Sequence, residues 1–216
     1  MADLDELIRL YLEEKVAIVQ DFPVADVVRL VEAVLRCYEN DGAVYVVANG
    51  GPAGSAEGFA TDLKTHPFVA EDKSQTTEIR RLRVHCLNES VGVVTGIAND
   101  IGYEAIFTEQ LKNYMRDAEH NKFDVLIGFS ASGDSKNVLN AFEYAKTFGV
   151  TTVCISGRGG GEAKNIADIC IVIPGNSRFP GQTGKNDNNF HIEDFQVSIT
   201  HMVTGILKAR VWANKG

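Results

Sequence analysis

Phe123-Asp124-Val125-Leu126-Ile127-Gly128-Phe129-Ser130-Ala131-Ser132-Gly133-Asp134-Ser135 is the stretch that decides the fold. Its first half is a short apolar run, the pattern of a strand buried on both faces of a parallel sheet. Its second half is a polar loop of three serines, a glycine and an aspartate, and a helical pattern follows over 135–148. A strand that passes through a short loop into a helix is the opening half of a right-handed βαβ crossover.

The same unit recurs outward in both directions. Ala43-Val44-Tyr45-Val46-Val47-Ala48 is a second buried run, followed by Asn49-Gly50-Gly51-Pro52 and a helix expected over 53–65. Residues 150–155 and 169–173 are further strong runs, and 82–87 is a weaker one. Helices are expected over 103–117, 162–167 and 192–213 as well. Five strands alternating with helices predict an α/β chain built on a parallel sheet. Two amphipathic helices precede the first strand. Leu4, Leu7, Ile8, Tyr11 and Leu12 mark one; Val27, Val28, Leu30, Val31, Val34 and Leu35 mark the other. Pro23 suits the first turn of the second, and Asn40-Asp41-Gly42 suits its end.

At 216 residues the chain can bury a full core and reads as a single domain over 1–216. Residues 1–40 are the helical pair, and 41–216 are the sheet with its helices. The net charge of −8 argues against nucleic acid or an anionic membrane as partner, because both select basic faces. No apolar run has the roughly 18–20 residues that span a bilayer. Met1-Ala2-Asp3-Leu4-Asp5-Glu6 lacks the basic head of a signal peptide, so the expected compartment is the cytoplasm. Cys37, Cys86, Cys154 and Cys170 form no CxxC and read as reduced core thiols.

Ligands of open parallel sheets bind beyond the carboxyl ends of the strands. Ser130, Ser132 and Ser135 stand at one such end, before a helix whose N–H groups favour an anion. That predicts an uncharged phosphate cradle; the alternative is a cap, with Ser132 or Asp134 at the N-cap. Asn49-Gly50-Gly51 is a second turn of this kind. It matches neither GxGxxG nor GxxxxGK[ST], so a dinucleotide or P-loop site is not expected. Ser156-Gly157-Arg158-Gly159-Gly160-Gly161 borders the same crevice and reads as a mobile connection. Residues 175–189 form the one long irregular loop, and loops of that length are often functional.

In this order Asn49-Gly50-Gly51, Ala98-Asn99-Asp100, Ser130 to Ser135, Ser156 to Gly160, Ala167-Asp168 and a late helix with His201 resemble the sugar isomerase (SIS) domain family. The resemblance spans about residues 3–208 and is closest to the phosphoheptose isomerases. It implies a flavodoxin-like αβα sandwich with a five-stranded parallel sheet, and N-terminal helices that build a homotetramer with sites shared between subunits. It also implies a phosphorylated sugar as partner, held by Asn49, Gly50, Gly51, Ser130, Ser132 and Ser135. Asp100 is the counterpart of a family aspartate that meets sugar hydroxyls.

The departures concern the catalytic positions. Pro52 replaces the family's serine and removes a hydroxyl and an N–H. Gly58 and Asp62 stand where the family has a histidine and a glutamate, both metal ligands, the latter also the base. Glu193 stands where it has glutamine. The resemblance assigns Asp62 as base and His201 as acid of an aldose–ketose isomerase. The cofactor is expected to be none, or a zinc-type divalent ion held by Asp62, Glu193 and His201. Glu193 and His201 are eight residues apart, about 12 Å on one straight helix. They share an ion only if Glu193 leaves the helix or acts across a subunit boundary. The alternative function is a non-catalytic sugar-phosphate-binding or regulatory protein. His66 and His191 are spare imidazoles near Asp62 and Glu193; His85 reads as structural and His120 as inert.

Overall fold

In the computed structural model, residues 3–74, 76, 78 and 80–213 are described. Met1 and Ala2 of the acidic N-terminal stretch therefore lie outside the described residues. Helices α1 (Leu4–Gln20) and α2 (Val24–Glu39) lead into strand β1 (Ala43–Ala48) and helix α3 (Gly51–Thr65). Strand β2 (Arg83–Cys86) and helices α4 (Val91–Asp100), α5 (Ile106–Leu111) and α6 (Ala118–Asn121) follow. Then come β3 (Val125–Phe129), α7 (Lys136–Lys146), β4 (Thr151–Ser156), α8 (Ala163–Ile166), β5 (Ile169–Val172) and the long α9 (Asn189–Ala213).

The five strands form one parallel sheet in the order β2-β1-β3-β4-β5. Strand order reverses beside β1 and β3, so the loops after those two strands flank one crevice. Alternate residues of β1 enter different cores. Val44, Val46 and Ala48 pack with α2, α3 and α9, while Ala43, Tyr45 and Val47 pack with α5 and α7. Burial on both faces is why these strands read as continuous apolar runs. Asp124 ties their entry together. Its buried carboxylate accepts from the Ala43 N–H at 2.7 Å and from Asn121 Nδ2 at 2.7 Å.

Gly128 in the middle of β3 is a packing requirement. A Cβ there would lie 2.6 Å from Phe142 Cζ and 2.7 Å from Val138 Cγ1, so α7 lies directly on the strand. Gly128→Ala is expected to cost about 1–3 kcal/mol by overpacking, read as a lower midpoint in urea. An unchanged midpoint would show that α7 shifts freely, contrary to its buried face of Val138, Ala141, Phe142 and Ala145.

Three local expectations are corrected. The helix expected over 103–117 is a 3-10 turn at Tyr103–Ala105 followed by the short α5. A helix not anticipated, α4, covers Val91–Asp100; its two glycines and five β-branched residues carry weak helix propensity. Ser90 starts it by accepting the Val93 N–H. At the end of α2, Asp41 rather than Gly42 takes the left-handed conformation. Gly42 is small for another reason: a Cβ would sit 2.6 Å from the Phe123 carbonyl oxygen. All four cysteines are free, but two that are distant in sequence, Cys154 and Cys170, are register partners on β4 and β5.

Candidate active site

A cavity of about 300 Å³ opens at the carboxyl ends of β1 and β3. Asn49, Gly50 and Gly51 line one wall, Ser130, Ser132 and Ser135 another, and Glu193 of α9 reaches in from the side. The helices α3 and α7 both begin here. Neither is capped by its N-cap side chain; the Ala53 N–H donates to the Gly50 carbonyl and the Val138 N–H to Asn137 Oδ1. Neither Ser132 nor Asp134 is the N-cap of α7. Ser135 holds the N-cap position, Ser132 Oγ accepts from the Asp134 N–H at 3.1 Å, and Asp134 Oδ1 accepts from the Glu162 N–H at 2.9 Å. Ser130 Oγ donates to Ser135 Oγ at 3.2 Å and accepts from the Gly133 N–H at 3.1 Å.

Asn49 is held firmly. It exchanges amide hydrogen bonds with the buried Asn137 at 2.7 and 2.8 Å, and Tyr103 donates to its Oδ1 at 2.8 Å. Asn137 and Tyr103 are supporting residues that the sequence did not single out. No motif marks them; only the proximity of α7 and the Tyr103 turn to β1 does. Glu193 lies so close to Gly51 that a Cβ on the glycine would meet its carboxyl oxygen at 2.5 Å. Burial and the neighbouring Asp194 carboxylate raise its pKa, opposed by a 2.8 Å hydrogen bond from Asn189 Nδ2.

Asp62 and His201 meet in a second cavity of about 360 Å³, lined also by His66 and Thr204. Their closest approach, His201 Nε2 to Asp62 Oδ2, is 3.9 Å, an ion-pair distance beyond a direct hydrogen bond. His201 is largely exposed and Asp62 about a third exposed. The two cavities lie along one seam, where α3 and α9 run side by side. Gly51 faces Glu193 at one end of it, and Asp62 faces His201 at the other.

A family model described as the SIS domain matches residues 11–157. The chain belongs to the SIS domain family. Among curated relatives, a phosphoheptose isomerase of Helicobacter pylori (strain P12) is 34% identical over 185 residues, 86% of this chain and 83% of the relative. A phosphoheptose isomerase of Akkermansia muciniphila is 30% identical over 76% of this chain and 74% of its own length. The phosphoheptose isomerase structure from Neisseria gonorrhoeae superposes with a TM-score of 0.77 at 23% identity, covering 96% of this chain and all of that one, which establishes the shared fold.

For this SIS domain the metal ligands implied by the family are not all present. Asp62 and His201 face each other, but Glu193 is on the same continuous helix in the other cavity. Gly58 offers no donor, and open space surrounds its Cα. Among the described residues no three of His, Cys, Asp and Glu converge as a metal site. Within one chain the donor set of Asp62, Glu193 and His201 therefore does not fit a zinc-type ion.

Asp100 lines neither cavity; it is exposed at the end of α4 and bonded to Asn99 Nδ2 at 2.8 Å. Asp168 is structural, accepting from the Thr152 N–H and Oγ1, both at 2.8 Å, and pairing with Lys146 at 3.0 Å. His85 stacks on Tyr45 and packs at a tilt against Tyr114, the three rings touching one another, with its pKa lowered chiefly by burial. His120 closes a surface turn against Asp117, 2.7 Å from its carboxylate. His191 is fully buried, 2.9 Å from Glu14 of α1. The 156–161 loop is less free than its glycines suggest. Gly160 backs onto Gly133 of the serine loop, and Arg158 lines the first cavity.

Proposed function

We propose that this chain is a sugar-phosphate isomerase interconverting sedoheptulose 7-phosphate and an aldoheptose 7-phosphate. The observation that carries the reading is that one helix pair, α3 and α9, borders both a serine-lined cavity suited to a phosphate and an acid–base pair, Asp62 with His201.

In the reaction Asp62 takes the proton from the carbon beside the carbonyl. His201 moves a proton between the two oxygens, so that an enediol forms and collapses to the other sugar. The open 3.9 Å pair tightens when substrate bridges it, as catalytic hydrogen bonds commonly do. Glu193 and Asn49 stand nearer the phosphate and serve the intervening hydroxyls.

The working unit we infer is a homotetramer with sites shared between subunits. Leu4, Ile8, Leu12 and Val16 form an exposed apolar stripe on α1, and α4 buries none of its residues within one chain. Copies of the chain are the natural cover for such faces. Among the described residues no helix is long and apolar enough to cross a membrane.

The test is isomerisation of sedoheptulose 7-phosphate, with ribulose 5-phosphate as the short comparison, before and after chelator treatment. Turnover of the seven-carbon substrate that survives the chelator is expected, since Asp62, Glu193 and His201 do not converge on an ion within one chain. Binding of the sugar phosphate with no turnover in either condition defeats the enzyme reading in favour of a sensor.

A further inference from the structure

The serine cradle contains hydroxyls and N–H dipoles but no full positive charge. Two cations complete the wall of the same cavity, and neither belongs to the serine loop. Arg158 follows β4 with a left-handed φ of 49°. Lys185 sits on a 3-10 turn, Gly184–Asn186, at the tip of the 175–189 loop. The Arg158 guanidinium donates to the Lys185 carbonyl and to Asn189 Oδ1. Both acceptors are neutral, so its charge is not cancelled there. No described carboxylate forms an ion pair with either residue, although nine other lysines and arginines have one.

The loop that carries Lys185 is built to stay in place. Glu14 of α1 accepts from Ser177 Oγ at 2.6 Å and from the Arg178 N–H at 2.7 Å. His191 Nε2 lies 2.9 Å from the same carboxylate, and these contacts, with burial opposing them, hold the Glu14 pKa low. Asn188 Nδ2 donates to the Pro174 carbonyl at 3.0 Å, and Tyr11 packs edge-on against Phe179 at 5.0 Å. The base of the loop is thus tied to α1, while the Arg158 side chain reaches the Lys185 backbone at its tip.

We infer that Arg158 and Lys185 form a cationic strap over the phosphate cradle, with Lys185 binding the phosphate directly and Arg158 positioning it. This deepens the sugar-phosphate reading above and rests on it. The charge balance supports it. A phosphate dianion approaches a chain of net charge −8 and enters a cavity that already holds the Glu193 carboxylate. Dipoles alone do not offset that repulsion at range; two uncompensated cations at the rim do, and they steer the anion inward. Lys suits the role of a mobile point charge, whereas Arg158 uses its planar fork to grip two acceptors at once.

The experiment is calorimetric titration of inorganic phosphate, and separately of sedoheptulose 7-phosphate, into the intact protein at several salt concentrations. Lys185→Ala is expected to raise Kd about tenfold for both, since a charge-assisted hydrogen bond is lost. The salt dependence should flatten with it, and Lys185→Arg should recover most of the affinity. Arg158→Lys, which keeps the charge but not the fork, should also weaken binding while leaving the salt dependence steep. A Lys185→Ala protein that binds phosphate as the wild type does overturns the strap. A wild-type protein that binds neither probe overturns the cavity assignment itself, a separate failure.

Discussion

Asp62→Asn is expected to lower kcat for sedoheptulose 7-phosphate by about 10²–10⁴-fold, the usual contribution of one general acid or base. The amide is nearly isosteric and keeps the contact with His201, but it cannot accept the carbon-bound proton. His201→Ala should fall in the same range. Because the two side chains face each other at 3.9 Å and act in one proton circuit, the double variant should be scarcely slower than either single one. Phosphate affinity should be retained in all three, because the cradle lies at the other end of the α3–α9 seam. Exchange of solvent deuterium into the substrate separates proton abstraction from binding. If Asp62→Asn still exchanges at the wild-type rate, the base lies elsewhere, and Glu193 becomes the next carboxylate to examine.

The second large effect concerns a residue with no chemistry of its own. Gly133 has a φ of 75°, and a Cβ there would fall 2.0 Å from the Gly160 carbonyl oxygen and 2.5 Å from its carbon. That neighbour is backbone and cannot rotate away. The two loops are also joined by the hydrogen bond from the Ala163 N–H to the Gly133 carbonyl at 2.9 Å. Gly133→Ala therefore faces left-handed strain and a backbone collision together, about 2–5 kcal/mol in all. The serine loop is expected to move with it, so phosphate binding and thermal stability should fall together. Gly54→Ala is the contrasting control. It lies inside α3 with nothing within 4 Å, and should stabilise by about 0.5–1 kcal/mol. Equal melting temperatures for the two variants would contradict the packing described here.

Much of the fold was legible because parallel strands buried on both sides leave an unmistakable residue pattern. Ala43–Ala48 and Val125–Phe129 match their expected runs closely. The failures have a common cause. Helix α4 was missed because Gly92, Gly96 and a β-branched run outweigh a helical period when only local propensity is read. The helix expected at 103–117 breaks into a 3-10 turn and the short α5, which ends at Leu111 before Asp117 caps the separate α6.

The candidate site divides in the same way. The serine loop and the Asn49 turn announce themselves, because glycine and hydroxyl residues directly after a strand have few other uses. Asn137 and Tyr103 do not, since each reaches Asn49 from a segment with no motif; Arg158 and Lys185 lie in loops that the sequence marks, but nothing local shows that both line one cavity.

By itself, then, the sequence determined the layer architecture and the serine-rich strand end, and its family resemblance marked Gly58 as a position without a donor. These depend on local periodicity and on which atoms a side chain possesses. Tertiary structure decided that Glu193 sits beside the serine loop, away from Asp62 and His201, and that two cations from separate loops share that cavity's rim. Those relations depend on how α3, α9 and the 175–189 loop pack against one another. Contacts between residues more than a hundred positions apart are set by the shapes of buried faces, which no local pattern records.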